Sequence, residues 1–180
     1  MTKDIDIEEI NIKLDNHIQK KFIKPNDNDI IKKYLNYTSR TGALEAALGS
    51  AATENIKKAA KLCKKLGFDG IDINMGCPDK SIEKQGAGAA MIKNPKLARE
   101  IIRAAKRGAP SLPISVKTRV GFNKVELEEW LPELLAEDLA VITIHARTRK
   151  EMSLVPAHWD LMKRIVEIRD EMKKETLIFG

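Results

Sequence analysis

The sequence predicts an α/β fold built on a parallel sheet, and three observations carry that prediction. Apolar runs of strand length alternate one for one with amphipathic stretches of helix length. Runs such as Val141-Ile142-Thr143-Ile144 suit the double-sided burial of a parallel strand. Each run also ends in side chains capable of chemistry, as strands of parallel α/β folds do at their carboxyl ends. Two architectures fit the alternation: an open doubly wound sheet, or part of a (β/α)₈ barrel. No Gly-x-Gly-x-x-Gly follows the early strands, so the usual mark of a dinucleotide-binding open sheet is missing.

The elements read in order as follows. Met1 to Arg40 is rich in Asp, Asn, Lys and Ile, is punctuated by Asn26-Asp27-Asn28-Asp29 after Pro25, and receives no assignment. It is set apart as residues 1–40 from a domain spanning 41–180. The apolar run Ala43 to Leu48 ends at Gly49-Ser50. A helix follows, with Thr53 as N-cap, Ile56, Ala59, Ala60, Cys63 and Leu66 on one face, and Gly67 as its stop. Phe68 to Asn74 reads as a short buried strand, and Met75 to Gly88 as a polar, glycine-bearing loop.

Asn94-Pro95 opens the next helix with proline in the first turn. Leu97, Ala98, Ile101, Ile102 and Ala105 form its apolar face, and Gly108 closes it. Pro113 to Lys117 is a strand. A helix bearing Trp130, Leu131, Leu134 and Leu135 leads to the strand Ala140 to His145. A last helix carries Trp159, Met162, Ile165, Val166 and Met172, before the run Thr176 to Gly180.

Composition narrows the class. The 180 residues hold 32 basic and 26 acidic side chains, a formal net charge of +6. That favours anionic partners weakly, because lysine-rich helix faces also serve simply to solvate a protein. No stretch reaches the roughly 20 apolar residues of a membrane span. Met1 to Glu9 lacks the apolar core of a signal peptide. Two cysteines make no disulfide framework, so a reducing, cytoplasmic setting is expected.

The strand ends converge. The strand ending at Ile73 delivers Asn74 and then Cys77; the next delivers Lys117, Thr118 and Arg119; the third delivers His145, Arg147 and Arg149. Amide, thiol, ammonium and imidazole groups thus meet on one rim. Each also has a plainer reading. Cys77 could be a buried structural thiol, but its place in Gly76-Cys77-Pro78, a tight loop leaving a strand, favours a reactive role. Cys63 reads as core. Lys117 at the end of an apolar strand calls for an anionic partner.

His145 alone could be a satisfied core histidine, and His17 and His158 read as surface. Only one of Arg147 and Arg149 need face the site. Gln85 to Ala89 reads as a close-packing turn rather than a phosphate loop. Metal is disfavoured, since neither Cys77 nor His145 has a partner at ligand spacing. A serine hydrolase lacks its Gly-x-Ser-x-Gly elbow.

Three motifs in order carry a resemblance. Asp72-Ile73-Asn74-Met75-Gly76-Cys77-Pro78, followed by Lys80 and Gly86-Ala87-Gly88-Ala89-Ala90, resembles the catalytic loop of tRNA dihydrouridine synthases. Ser115 to Gly121 and Ile142 to Arg149 resemble that family's next two strand-end motifs, and Ala157-His158-Trp159 falls where it has a small residue and a tryptophan. The resemblance covers about Tyr37 to Gly180. It implies an FMN-dependent TIM barrel, here strands three to seven of eight, that reduces uridine in tRNA to 5,6-dihydrouridine with NADPH as electron donor.

The resemblance makes Cys77 the general acid, and an unperturbed thiol titrating near ~8.5 still holds a proton to give at neutral pH. It sets Lys117 against the flavin ring and His145 at the ribityl or phosphate end. Asn74 and Arg119 would face a flipped uridine, with Arg147 or Arg149 toward RNA phosphate. The protein would act as a monomer, without metal or membrane. Three features depart from the family pattern. The family's Pro-Met-Ala-like first strand has no counterpart. A glutamine is missing before Gly49-Ser50. The motifs expected after Gly180 do not follow, so the chain reads as a fragment. An FMN barrel of the dihydroorotate dehydrogenase type and a non-catalytic remnant are the alternatives.

Overall fold

The computed structural model describes residues 50–180. Within them the order is α1 (Ser50–Lys65), β1 (Ile71–Asn74), α2 (Lys80–Glu83), a 3-10 segment (Gly88–Lys93), α3 (Pro95–Gly108), β2 (Ile114–Arg119), α4 (Leu127–Leu135), β3 (Val141–His145), α5 (Leu161–Glu171) and β4 (Leu177–Phe179). The predicted alternation is present. The run Ala43 to Leu48, the segment 1–40 and His17 lie outside the described residues.

All strand pairs are parallel, in the spatial order β1-β2-β3-β4. A doubly wound sheet reverses its strand order at a switch point. This one adds each strand beside its predecessor, with α3, α4 and α5 as the crossovers, so the chain winds in one sense as a (β/α)₈ barrel does. The four strands form part of such a barrel.

The two faces of the sheet are unlike. Ile71, Ile73, Ile114, Val116, Ile142 and Ile144 are buried in one core with α1, α3, α4 and α5. The alternate positions Asp72, Asn74, Ser115, Lys117, Thr143 and His145 are only partly covered or exposed. Each buried isoleucine is worth about 1.5–3 kcal/mol. A one-residue slip would put Lys117 under the helices, so this row fixes the register. Asn74 pairs with Lys117, Lys117 with Thr143, and Arg119 with His145.

Local chemistry sets the element ends. Gly67 takes φ +79° after α1, the stop that the sequence predicts. The Asn94 side-chain oxygen accepts from the Leu97 N–H at 3.2 Å, with Pro95 in the first turn of α3. Leu66 lies past the end of α1 and is 44 % exposed rather than on its apolar face, and three further expectations need correction. Thr53 lies inside α1, which starts at Ser50, and so is not its N-cap. Gly108 ends α3 without a left-handed φ. Its reason is packing: a Cβ there would collide with the Lys57 carbonyl and come within 2.8 Å of Ala60 Cβ. Trp159 precedes α5 and is 63 % exposed rather than on a helix core face.

Candidate active site

Cys77 sits on a turn that is tied down from several directions. The Asn74 side-chain oxygen accepts from the Gly76 N–H at 3.0 Å, an Asx turn that swings the chain out of β1. Gly76 crosses close above β2, where a Cβ would meet Thr118 backbone atoms at 3.3 Å. The Cys77 carbonyl accepts from the Ala89 N–H at 2.9 Å. Gly88, with φ +58°, is needed there, since a Cβ would approach that carbonyl to 2.6 Å. The Gln85–Ala89 loop is therefore the close-packing turn that the sequence predicts, and its packing partner is Cys77. The thiol itself is half-buried, whereas Cys63 is buried in the core and burial pushes its thiol pKa up.

Beside this turn stand the ends of β2 and β3. The Met75 N–H donates to the Lys117 carbonyl at 2.7 Å, and Thr118 Oγ1 donates to the Met75 carbonyl at 3.3 Å. Lys117 projects from the same sheet face as Asn74 and is exposed. Among the described residues it has no ion-pair partner, so its ammonium could hold an anionic group.

His145 lies on the same face, half-buried, with Arg147 Nη1 2.9 Å from its Nε2. A guanidinium can only donate, so Nε2 accepts and the ring proton resides on Nδ1. Burial first, then the nearby charges of Arg119, Lys117 and Arg147, holds the imidazole pKa below its ordinary value. His145 is thus a neutral ring offering an N–H donor at Nδ1.

The three arginines are engaged within the protein. Arg119 is 7 % exposed; its Nε donates to the Gly76 carbonyl at 2.8 Å, and its Nη1 to the carbonyls of Thr148 and Met152 at 3.1 Å each. It props the Cys77 turn against the loop after β3. Burial, with Arg147 and Arg149 nearby, lowers its pKa, while the closeness of Cys77 acts the other way. Arg147 also donates from Nε to the Val155 carbonyl at 2.6 Å. Arg149 makes a two-pronged ion pair with Glu83 of α2, which raises the arginine's pKa.

Sequence reasoning missed Glu83, Glu151 and Phe122. Thr148-x-x-Glu151 has capping-box spacing, and that signal was available. The Glu151 carboxylate accepts from the Thr148 N–H at 2.7 Å, and the Glu151 N–H donates to Thr148 Oγ1 at 3.2 Å. Glu151 also meets His158 Nε2 at 2.9 Å, so His158 is a loop strut rather than a bare surface residue. Those bonds, Thr148 first, hold the Glu151 carboxyl down at about 2. Glu83 and Phe122 carry no local signal, since their partners are 66 and 27 residues away along the chain.

Among the described residues no group of three or more His, Cys, Asp or Glu could hold a metal ion. No described helix is long and apolar enough to cross a membrane.

Comparison with known proteins gives the family. The family model described as dihydrouridine synthase matches residues 19–179. A protein of Bacillus subtilis (strain 168) named probable tRNA-dihydrouridine synthase 2 is 41 % identical over 158 residues, covering 87 % of this chain and 48 % of that protein. A probable tRNA-dihydrouridine synthase of Staphylococcus aureus (strain Mu50) is 39 % identical over 158 residues, with the same shares. One of Staphylococcus epidermidis (strain RP62A) is 48 % identical over 114 residues, 63 % of this chain and 34 % of that protein. The chain spans about half the length of the first two relatives. It carries the thiol turn, the strand-end lysine and the strand-end histidine on one parallel sheet, and with the match running over most of its length, this chain belongs to the dihydrouridine synthase family.

Proposed function

We propose that the protein reduces uridine in tRNA to 5,6-dihydrouridine, with FMN as cofactor and NADPH as electron donor. The observation that carries this reading is the Cys77 turn standing beside Lys117 and His145 on the open sheet face of a family member. The donor set suits a flavin: an ammonium with no ion-pair partner among the described residues for an anionic ring edge or phosphate, and a neutral imidazole with an N–H to donate. Lys117 and His145 would hold the FMN, and Asn74 would approach the uracil once its backbone-capping duty to Gly76 is met. FMN held there, with NADPH as electron donor, would supply the hydride required at C6 of the uracil.

Cys77 completes the addition by giving the Sγ proton to C5, and the thiolate left behind regains a proton from solvent. The C5=C6 double bond is thereby saturated with one hydride and one proton. Arg119 holds the thiol turn through the Gly76 carbonyl, so its contribution is to position Cys77 rather than to contact the base. Arg147 orients the His145 ring. The RNA backbone meets lysines instead: Lys80 at the start of α2, Lys93 at the end of the 3-10 segment, and Lys84, Lys124 and Lys150 on loops are exposed around the rim and have no ion pair among the described residues. Lys93 lies 4.2 Å from the centre of the Phe122 ring, which keeps its charge without neutralising it.

The test is to incubate the purified protein with FMN, NADPH and an unmodified tRNA transcript and to measure dihydrouridine by the gain of two hydrogens. Product is expected from the wild type and a loss of about 10²-fold or more from Cys77→Ala. Orotate in place of tRNA should leave the reduced flavin unoxidised. Wild-type activity undiminished in Cys77→Ala would remove the proton donor from this account.

A further inference from the structure

Two separate loops meet at the rim, and a single ion pair joins their outer parts. Glu83 is the last residue of α2, the one-turn helix that begins three residues after Cys77. Arg149 lies four residues after His145, in the loop that leaves β3. Their side chains form a bidentate pair with the carboxylate 12 % and the guanidinium 21 % exposed. Among the described residues, Glu83 is the only ion-pair partner of Arg149. Phe122 covers the guanidinium from the loop after β2, with Cζ 5.2 Å from the ring centre. The backbone of the same β3 loop is bonded to that β2 loop, since the N–H groups of Arg149 and Lys150 donate to the carbonyls of Gly121 and Phe122 at 2.9 Å each.

We propose that the Glu83–Arg149 pair is a positioning clamp that sets the depth and angle of the Cys77 thiol relative to the base. The inference rests on the reading of Cys77 as proton donor. Other ties act on the turn at its root, through Gly76 and the Cys77 carbonyl. α2 is a single turn with no fully buried residue, and its packing on the core runs through Ile82 alone. At its far end the backbone is tied only to the next turn, through the Gly86 N–H to the Glu83 carbonyl at 2.9 Å, so the charge pair is the side-chain tie from Glu83 to the β3 loop, and a planar guanidinium fixes direction as well as distance. Partial burial against Phe122 keeps the pair from the full screening that weakens exposed salt bridges. Arg149 serves catalysis through Cys77 and not by binding phosphate.

The chain's two cysteines provide a readout that needs no substrate, because Cys63 is buried and Cys77 is half-exposed. Alkylation of each thiol is followed by mass spectrometry in Glu83→Gln, Arg149→Gln, the double variant, the milder Arg149→Lys, and the exchanged pair Glu83→Arg/Arg149→Glu. Freeing α2 is expected to raise the Cys77 alkylation rate about 3- to 10-fold in each single variant, with Cys63 unchanged as the sign of an intact core. The double variant should be no worse than either single one, and the exchanged pair should regain part of the protection.

In the dihydrouridine assay, both single variants should lose about 10-fold in kcat with KM for tRNA nearly unchanged, since the chemistry is misplaced while binding is not. Additive effects on Cys77 alkylation would overturn the clamp. So would a rise in KM confined to the Arg149 variants, which would make Arg149 an RNA contact. If Arg149→Gln does not fold, Arg149→Lys decides, because it keeps the charge but cannot make both prongs; wild-type alkylation in a folded Arg149→Lys overturns the proposal. If the wild type makes no dihydrouridine, the proposed activity fails while the alkylation series still judges the clamp.

Discussion

Arg147 donates a hydrogen bond to Nε2 of His145 across 2.9 Å, two residues along the same segment. The guanidinium cannot accept a proton, so it fixes the tautomer and opposes protonation of the ring. Because burial and neighbouring cations depress the folded-state pKa, the unfolded chain binds the proton first. Stability is therefore expected to fall as pH drops below the ordinary histidine value of about 6.5. Urea midpoints measured between pH 7.5 and 5.5 should show this slope, and His145→Gln, which keeps an acceptor within reach of Arg147, should flatten it.

Glu151 gives a second, separate acid window. Its carboxyl is held at about 2 by Thr148 and His158, so it stabilises the loop fully above the ordinary glutamate value of about 4.3. That contribution is lost progressively as pH falls from there toward about 2. In Glu151→Gln the loss between pH 4.5 and 2.5 should be smaller than in the wild type, as read from thermal midpoints across that range.

Gly108 tests the packing of α1 on α3. In an exposed helix interior, Gly→Ala stabilises by about 1 kcal/mol. Here the added methyl would strike the Lys57 carbonyl and Ala60, so Gly108→Ala should instead destabilise by about 1–3 kcal/mol. Chemical denaturation gives the sign directly.

Gly88 tests the support under the thiol turn. Gly88→Ala meets both a left-handed φ of +58° and the Cys77 carbonyl at 2.6 Å. The turn must shift, and in the proposed reaction dihydrouridine formation should fall about 10²-fold while tRNA binding, measured by fluorescence anisotropy, holds.

Glu137 anchors the helical layer and is 7 % exposed. Its carboxylate accepts from Arg99 at 2.6 Å and from Arg103 at 2.8 Å. Burial alone would raise its pKa, but the two guanidinium groups outweigh it and leave the value lowered. Since both arginines reach solvent, Glu137→Gln should cost only about 1–2 kcal/mol in the urea denaturation curve.

The strand-end residues were legible because period and position are local properties. Asn74, Lys117 and His145 each follow an apolar run, and the parallel register then brings them onto one face. The fates of Arg119, Arg147 and Arg149 were not legible in the same way. Sequence shows a charge, but the carbonyls of Gly76 and Thr148 and the carboxylate of Glu83 reach them only through the fold. Gly108 illustrates the same limit: its place at a helix end suggested a cap, whereas the reason for it lies in the neighbouring helix. The choice between two sheet architectures likewise depended on strand order, which alternation alone leaves open.

The side-by-side order of the strands also bears on how the chain is made. Among the described residues, β2, β3 and β4 each dock on the strand synthesised just before, so each finds its hydrogen-bonding template already in place. Vectorial growth of this kind needs no later strand to slot between two earlier ones. A nascent chain can therefore consolidate these units one by one as they leave the ribosome.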